Sequence, residues 1–192
     1  LEFRRVLFRS QAWLIVLIAN GPLHHHAHWT LFNYKLLNRG FEFLVSITTI
    51  AKIHAWKSAH IKHHRYVNDH PVDGKTKDPV SVFANGKNGE VENFWSFCGR
   101  GIISVFVGPF THSEKTTALY SNVQNKIESW AWVSYCCVIF AVDAKFGAWM
   151  LVVYVLANFL NMATSYGEHW GVLDRRGDTT QDSVGIYSAW YN

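Results

Sequence analysis

Residues 129–163 read SWAWVSYCCVIFAVDAKFGAWMLVVYVLANFLNMA and form the longest apolar stretch of the chain. Its only formal charges are Asp143 and Lys145, near the middle. Because a helix needs about 20 apolar residues to cross a bilayer, we interpret this stretch as two helices, about 130–142 and 146–163. The first helix is short for a full span, so it would tilt, thin the bilayer locally or include residues before Trp130. The stretch therefore predicts a transmembrane helical hairpin.

The composition agrees with a membrane protein. The chain has 192 residues, of which 49% are hydrophobic, 16% aromatic and 17% charged, whereas about a quarter of a soluble domain is charged. Nine residues are Trp, which is favoured at membrane interfaces. This balance excludes an intrinsically disordered chain. The net charge of +4 comes without a basic, aromatic-rich stripe, so nucleic acid is not an expected partner.

Two other apolar segments are shorter than a span. Residues 12–19 are apolar and are followed by Asn20-Gly21-Pro22, which breaks the run. Residues 41–53 predict a buried or interfacial helix. The first ten residues resemble a cloning scar, and the chain does not begin with Met. We therefore interpret 1–10 as a non-native leader.

Eleven histidines are present, and most of them are clustered. His24 and His28 are spaced HxxxH, while His60, His63 and His64 are spaced HxxHH, and such positions share one face of a helix. His169 follows the apolar hairpin. Neutral imidazoles that converge on one point bind metal ions, so this combination predicts a metal centre. Six histidines exceed the four ligands of one zinc, which suggests two metal ions, although imidazole alone does not select iron.

The remaining histidines have other expected roles. Two of them lie inside the HxxxH pattern and are predicted to lie behind the ligands or at the surface, namely His25 and His26. Three more have no partner at ligand spacing and are predicted to be exposed, namely His54, His70 and His112. The three cysteines show no CxxC spacing, so a cysteine-based zinc site is not supported.

The membrane topology follows from the spacing of the histidines. The stretch between His28 and His60 is too short to cross, so both lie on one side, and a hairpin that crosses twice returns His169 to that side. Twelve Lys and Arg residues lie between residues 35 and 126, whereas only Lys145 lies in the predicted far-side turn. Because positive residues accumulate on the cytoplasmic side, the histidines are expected to face the cytosol.

These motifs together resemble those of the membrane fatty acid desaturases and the related integral-membrane hydroxylases. The similar segments are HHHAH at 24–28 with Phe32 beyond, WKSAHIKHHRYVN at 56–68 followed by Asp78-Pro79, and YGEHWG at 166–171. The resemblance extends from about residue 12 to 192. It implies an all-α, integral-membrane helical bundle with a cytosolic, histidine-rich metal site.

The resemblance also implies an activity. A non-haem di-iron centre would use O2 to desaturate a fatty acyl chain linked to CoA, a carrier protein or a lipid, with electrons from a ferredoxin, cytochrome b5 or rubredoxin. A hydroxylase acting on alkyl or lipid chains is the alternative, and a non-catalytic metal-binding membrane protein is a second one. The implied iron ligands are His24, His28, His60, His63, His64 and His169.

The sequence departs from the family pattern in two places. No third HxxHH box precedes the last residue, Asn192, so 11–192 is interpreted as a desaturase-like domain truncated at both ends, inactive by itself. Relatives often have Asn one turn before the lone histidine, where this chain has Ser165, so a water-mediated contact there is in doubt. Glu168 is expected to orient a neighbouring histidine rather than to bind iron.

Overall fold

The computed structural model describes residues 2–49, 52–69, 72, 76–78, 80–87, 90–107 and 122–170. Within these ranges the chain is helical and contains no β-strand, which confirms the all-α prediction for the described residues. In chain order the helices are α1 (Glu2–Ile18), a π-helical turn (Ala19–Leu23), α2 (His24–His28), α3 (Lys35–Thr49), α4 (Ile53–Arg65), α5 (Phe94–Val107), α6 (Asn122–Val142) and α7 (Ala144–Trp170). Residues 2–10 of the predicted leader are part of α1.

The hairpin of α6 and α7 turns at Asp143. The Asp143 carboxylate accepts hydrogen bonds from the backbone N–H groups of Lys145 at 2.9 Å and Phe146 at 3.0 Å, which caps the start of α7. Gly147 permits the close return, because a Cβ there would lie 2.8 Å from the Phe140 ring.

Both helices of the hairpin are longer than the sequence predicts. Helix α6 begins at Asn122 rather than near 130, and α7 continues to Trp170 rather than 163. An extension before Trp130 is one of the ways in which the sequence allows the first helix to complete a span, and α6 includes the polar residues there. In the structure their side chains face other helices, so that Gln124 contacts Glu42 of α3 and Glu128 contacts the start of α4.

Helix α7 is long and apolar enough to cross a membrane. Its qualifying segment is Ala144–His169, and among the described helices it is the one that meets both criteria. Only 22% of its most apolar window is buried inside the protein, whereas a core helix of a soluble protein would be mostly buried. The second crossing, by α6, stays a prediction.

Helix α7 also packs against α1 and α5. Ala12 and Val16 of α1 form one buried cluster with Val153 and Ala157. On another part of α7, Gly101 of α5 packs against Met162, where any larger residue would collide with the methionine side chain. These contacts fix the C-terminal end of α7, which carries His169.

Helix α3 has the reverse of the usual amphipathic pattern. Its buried side chains are mostly polar, namely Asn38, Glu42, Val45, Ser46 and Thr49. Its exposed large side chains are apolar, namely Leu36, Leu37, Phe43 and Leu44. A helix in a soluble protein buries its apolar face, whereas polar residues of membrane helices face the protein interior. The pattern favours a lipid-facing position for α3.

Candidate metal centre

The first pair of histidines is presented by the π-helical turn and α2. Pro22 lies inside this turn, and the His24 backbone N–H bonds to the carbonyl of Ala19, five residues earlier. A proline has no N–H to continue the ordinary ladder, and such π-helical insertions are frequent at functional sites. The turn leads directly into α2, where His24 and His28 are one helical turn apart.

Helix α4 brings a second pair of histidines to the first. The ligand atoms of His24, His28, His60 and His64 all lie within 4.8 Å of one another. We call these residues the four-histidine group. The Nε2 atom of His60 lies 3.3 Å from Nε2 of His28 and 3.0 Å from Nε2 of His64. Two imidazoles bound to one metal at about 2.1 Å, with an angle near 90–110°, have nitrogens about 3.0–3.4 Å apart.

The other two predicted ligands form a separate pair. The Nε2 atoms of His63 on α4 and His169 on α7 are 3.2 Å apart, again the separation expected of two ligands of one metal. We call these residues the two-histidine pair. The ring centroids of His63 and His64 are 5.7 Å apart, so the pair adjoins the four-histidine group. The arrangement offers two neighbouring metal positions.

A buried carboxylate orients His63. Both oxygens of Asp78, which is 0% exposed, lie 2.9 Å from the His63 Nδ1 atom. Asp78 also accepts hydrogen bonds from the backbone N–H groups of Asn68 at 3.0 Å and Val80 at 2.9 Å. A carboxylate on one ring nitrogen fixes the proton there and leaves the other nitrogen to bind metal. Asp78 thereby directs Nε2 of His63 towards His169.

Asn68 joins this loop to the end of α7. Its Nδ2 donates to the backbone carbonyl of His169 at 3.3 Å, and its Oδ1 accepts from the backbone N–H of Val82 at 3.4 Å. Asn68 has φ of 54°, a left-handed conformation that asparagine tolerates better than most residues. The strained turn places the Asn68 amide beside His169.

The histidines line a cavity of about 390 Å³. Five of the six predicted ligands contribute to its wall, namely His24, His60, His63, His64 and His169. Ser165 and Glu168 line the same cavity, as does Asn161, one turn before Ser165. Apolar lining comes from Val67, Val80 and Met162. The wall therefore combines metal-binding nitrogens with apolar surface.

Burial lowers the pKa of three of the predicted ligands, His24, His60 and His64. Burial, and then the neighbouring imidazoles His64, His24 and His28, lower the pKa of His60 to about 3. The same two causes lower the pKa of His64 to about 4 and that of His24 below its usual value. Because a metal binds the neutral imidazole, these shifts keep the ligands competent at neutral pH.

Trp56 supports the centre of the four-histidine group. Its ring stacks on His60 with centroids 4.6 Å apart and an interplanar angle of 10°. The stack limits rotation of the one imidazole whose Nε2 contacts both His28 and His64.

The remaining histidines differ in their burial and in their contacts. His25 is exposed, whereas His26 is buried and contacts a Glu42 oxygen at 3.1 Å. His54 is 5% exposed, so the prediction that it lies at the surface is wrong. Its backbone N–H donates to Glu128 at 3.0 Å, because α6 packs over the start of α4. His70 and His112 lie outside the described residues.

Four residues at this centre have no role predicted from the sequence, namely Trp56, Asn68, Asp78 and Asn161. Trp56, Asn68 and Asp78 lie in the segments that resemble the family motifs. Trp56 precedes His60 by four residues, and this spacing could have placed the two rings on one helix face. Asp78 reaches His63 through a loop, and no local pattern indicates that contact.

The comparison with protein families decides the identity. The family model of the fatty acid desaturases matches residues 6–192. The chain belongs to the fatty acid desaturase family. No curated protein and no solved structure matches the chain significantly. As a desaturase-family protein it belongs to a family of membrane-associated oxidoreductases, which agrees with the apolar α7.

The residues present in this desaturase-family chain fit a metal centre. The donors are imidazole nitrogens with ligand-like separations, burial lowers the pKa of two of them, His60 and His64, and His63 has the carboxylate partner typical of metal-bound histidine. Imidazole suits iron as well as zinc, copper and nickel, so the donor set is compatible with iron without selecting it.

Proposed function

We propose that this protein catalyses the O2-dependent desaturation of a fatty acyl chain at a non-haem di-iron centre on the cytosolic face of the membrane. One observation carries the proposal. Histidines from two sequence boxes and from the end of an apolar helix meet in two adjacent sets, each with ligand-like nitrogen separations. Membership of the desaturase family supplies the reaction class.

The two sets have different tasks in this proposal. The four-histidine group would hold one iron, and the two-histidine pair would contribute to the site of the second. Bound iron would supply the O2 activation that is needed to remove hydrogen from an unactivated C–H bond. Asp78 keeps the proton on Nδ1 of His63, Trp56 fixes the ring of His60, and Glu168 and Ser165 are placed to orient groups in the same cavity.

The acyl chain would approach along the apolar wall of the cavity. Val67, Val80 and Met162 contribute that wall, and apolar lining excludes water from a long hydrocarbon chain. The chain would be delivered as a CoA, carrier-protein or lipid-linked substrate. A ferredoxin, cytochrome b5 or rubredoxin would donate electrons, attracted by the lysines and arginines that the sequence concentrates near the histidines.

A hydroxylase acting on alkyl or lipid chains is the second candidate. The segment YGEHWG at 166–171 resembles the corresponding motif of the alkane hydroxylases, and Glu168 of this segment lines the cavity. The two reactions would use the same ligands and differ in their product, an alkene or an alcohol.

The test is the product of an isotopically labelled acyl substrate, supplied with O2 and a reduced donor to the full-length protein in membranes. A new double bond supports the desaturase, and an alcohol supports the hydroxylase. A protein that binds metal and gives neither product with any acyl carrier would support the third reading, a non-catalytic metal-binding membrane protein.

A further inference from the structure

A second cavity lies on the face of α4 opposite to His60, His63 and His64, and His54 is part of its lining. Its volume is about 450 Å³. Polar and cationic side chains from the segment before α3, from α3 itself and from α4 line it, among them Thr30, Asn33, Lys35, Asn38, Arg39 and Lys57. The metal centre uses none of these residues.

The lining of this cavity favours an anion. Three cations face one carboxylate, that of Glu42. Glu42 is already engaged within the protein, since one oxygen lies 2.8 Å from Lys57 Nζ and the other 3.1 Å from Arg39. The excess positive charge and the amide of Asn33 provide the donors that phosphate groups accept in proteins. The Asn38 amide is already used within the protein, because its Nδ2 donates to the backbone carbonyls of Phe32 and Tyr34.

The surroundings of the cavity favour a lipid. The exposed face of α3 is apolar, with Leu36 82% and Leu44 64% exposed. Trp29 and Tyr34, which flank the cavity along the chain, are also exposed, and such aromatic residues concentrate at membrane interfaces. An amphipathic helix of this kind lies in the interface plane with its apolar face among the acyl chains.

We propose that this cavity binds the phosphate of an anionic membrane phospholipid, whose acyl chains lie along the Leu36–Leu44 face of α3. Lys35 and Arg39 contact the phosphate at the mouth, and Lys57 closes the inner end. A soluble phosphate would use the same cations but would leave the apolar face uncovered. The site is separate from the metal centre, so it holds whether or not the proposed desaturation is correct.

The test is native mass spectrometry of the full chain in a neutral detergent. Phosphatidylglycerol is compared with diacylglycerol, which has the same chains without phosphate, and with inorganic phosphate. We expect one saturable phosphatidylglycerol per chain, with both other probes weaker by about tenfold or more. Equal binding of diacylglycerol would show that phosphate is not recognised. Equal binding of inorganic phosphate would indicate a soluble anion. Either result would overturn the proposal.

Charge variants locate the site. Lys35→Glu should weaken phosphatidylglycerol binding about tenfold or more, Lys35→Gln should weaken it less, and Lys35→Arg should retain it. Lys87→Glu is the matched control, because Lys87 is an exposed cation in the loop before α5. Circular dichroism verifies that each variant is folded. If Lys87→Glu weakened binding as much as Lys35→Glu, the lipid would be attracted by net charge alone and the proposal would fail.

Discussion

The two faces of α4 carry opposite kinds of polar chemistry. One face presents His60, His63 and His64 to a cavity in which burial lowers the pKa of His60 and of His64. The other face presents Lys57 to a cavity in which three cations outnumber the one carboxylate, that of the buried Glu42. The comparison shows how a helix of 13 residues separates a region suited to a metal from a region suited to an anion.

The largest effect on metal binding is expected at His60, the ring that contacts two others of the four-histidine group. His60→Ala should lower metal affinity by more than about 100-fold, since losing a ligand costs more than losing an outer partner, which costs about 10–100-fold. Titration of the metal-free protein with cobalt measures the loss. His25→Ala is the control, because His25 is exposed on the same short helix as His24 and His28. Equal losses in both variants would refute the assignment.

Asp78→Asn should have the next largest effect, about 10–100-fold on metal affinity. An amide no longer holds the His63 proton as the carboxylate does, so the two-histidine pair should lose its metal while the four-histidine group retains its own. Metal stoichiometry separates the two positions. Asp69→Asn is the control, because this nearby carboxylate accepts a bond from the backbone of Lys77 instead. Uniform weakening of both positions would show that Asp78 acts only on folding.

Trp56→Leu should weaken metal binding about 2- to 10-fold, which corresponds to the 0.5–1.5 kcal/mol of an aromatic pair. Trp56→Phe keeps a flat ring over His60 and should recover most of the loss. The same cobalt titration measures both variants. If leucine and phenylalanine behaved alike, side-chain volume rather than ring stacking would support His60.

Loss of the Glu42 carboxylate, in the cavity on the opposite face of α4, should change the stability of the protein in acid far more than its metal binding. Burial alone would raise the pKa of Glu42, but Lys57, His26 and Gln124 outweigh burial and lower it to about 2. Arg39 and Glu128 are the other charged groups near this carboxylate. Because the folded-state pKa is depressed, the stabilisation is present above about pH 4.5 and is lost as the pH falls towards 2.

Thermal unfolding between pH 6 and pH 3 measures this effect, which should amount to a few kcal/mol. In Glu42→Gln the melting temperature should depend less on pH over this window, while cobalt affinity at neutral pH changes by less than about threefold. A wild-type profile no steeper than that of the variant would contradict the assignment of the low pKa to Glu42.

Local spacing explains why the helical histidines could be predicted from the sequence. Positions separated by three or four residues share a helix face, and the structure places His60 and His64 together. The topological argument predicted only that His169 lies on the same side of the membrane as His28 and His60, and the structure brings the rings of His63 and His169 together. Metal binding by these six residues remains a prediction.

Long-range contacts explain what the sequence did not predict. Asp78 reaches His63 only because the loop turns at Asn68, and that turn depends on a left-handed residue and on bonds to distant backbone groups. His54 is buried because α6 extends over it, and the extension of α6 itself depends on partners for Gln124 and Glu128 in other helices. Such partners carry no signal at short sequence distance.

The iron content of the protein tests the central claim most directly. Purified protein, supplied with ferrous iron under anaerobic conditions and freed of excess, is measured by elemental analysis together with Mössbauer spectroscopy. The account predicts two high-spin ferrous irons per chain with nitrogen ligation, of which His60→Ala loses that of the four-histidine group and Asp78→Asn loses that of the two-histidine pair. A protein that retains no iron, or whose iron content is unchanged by His60→Ala, would contradict it.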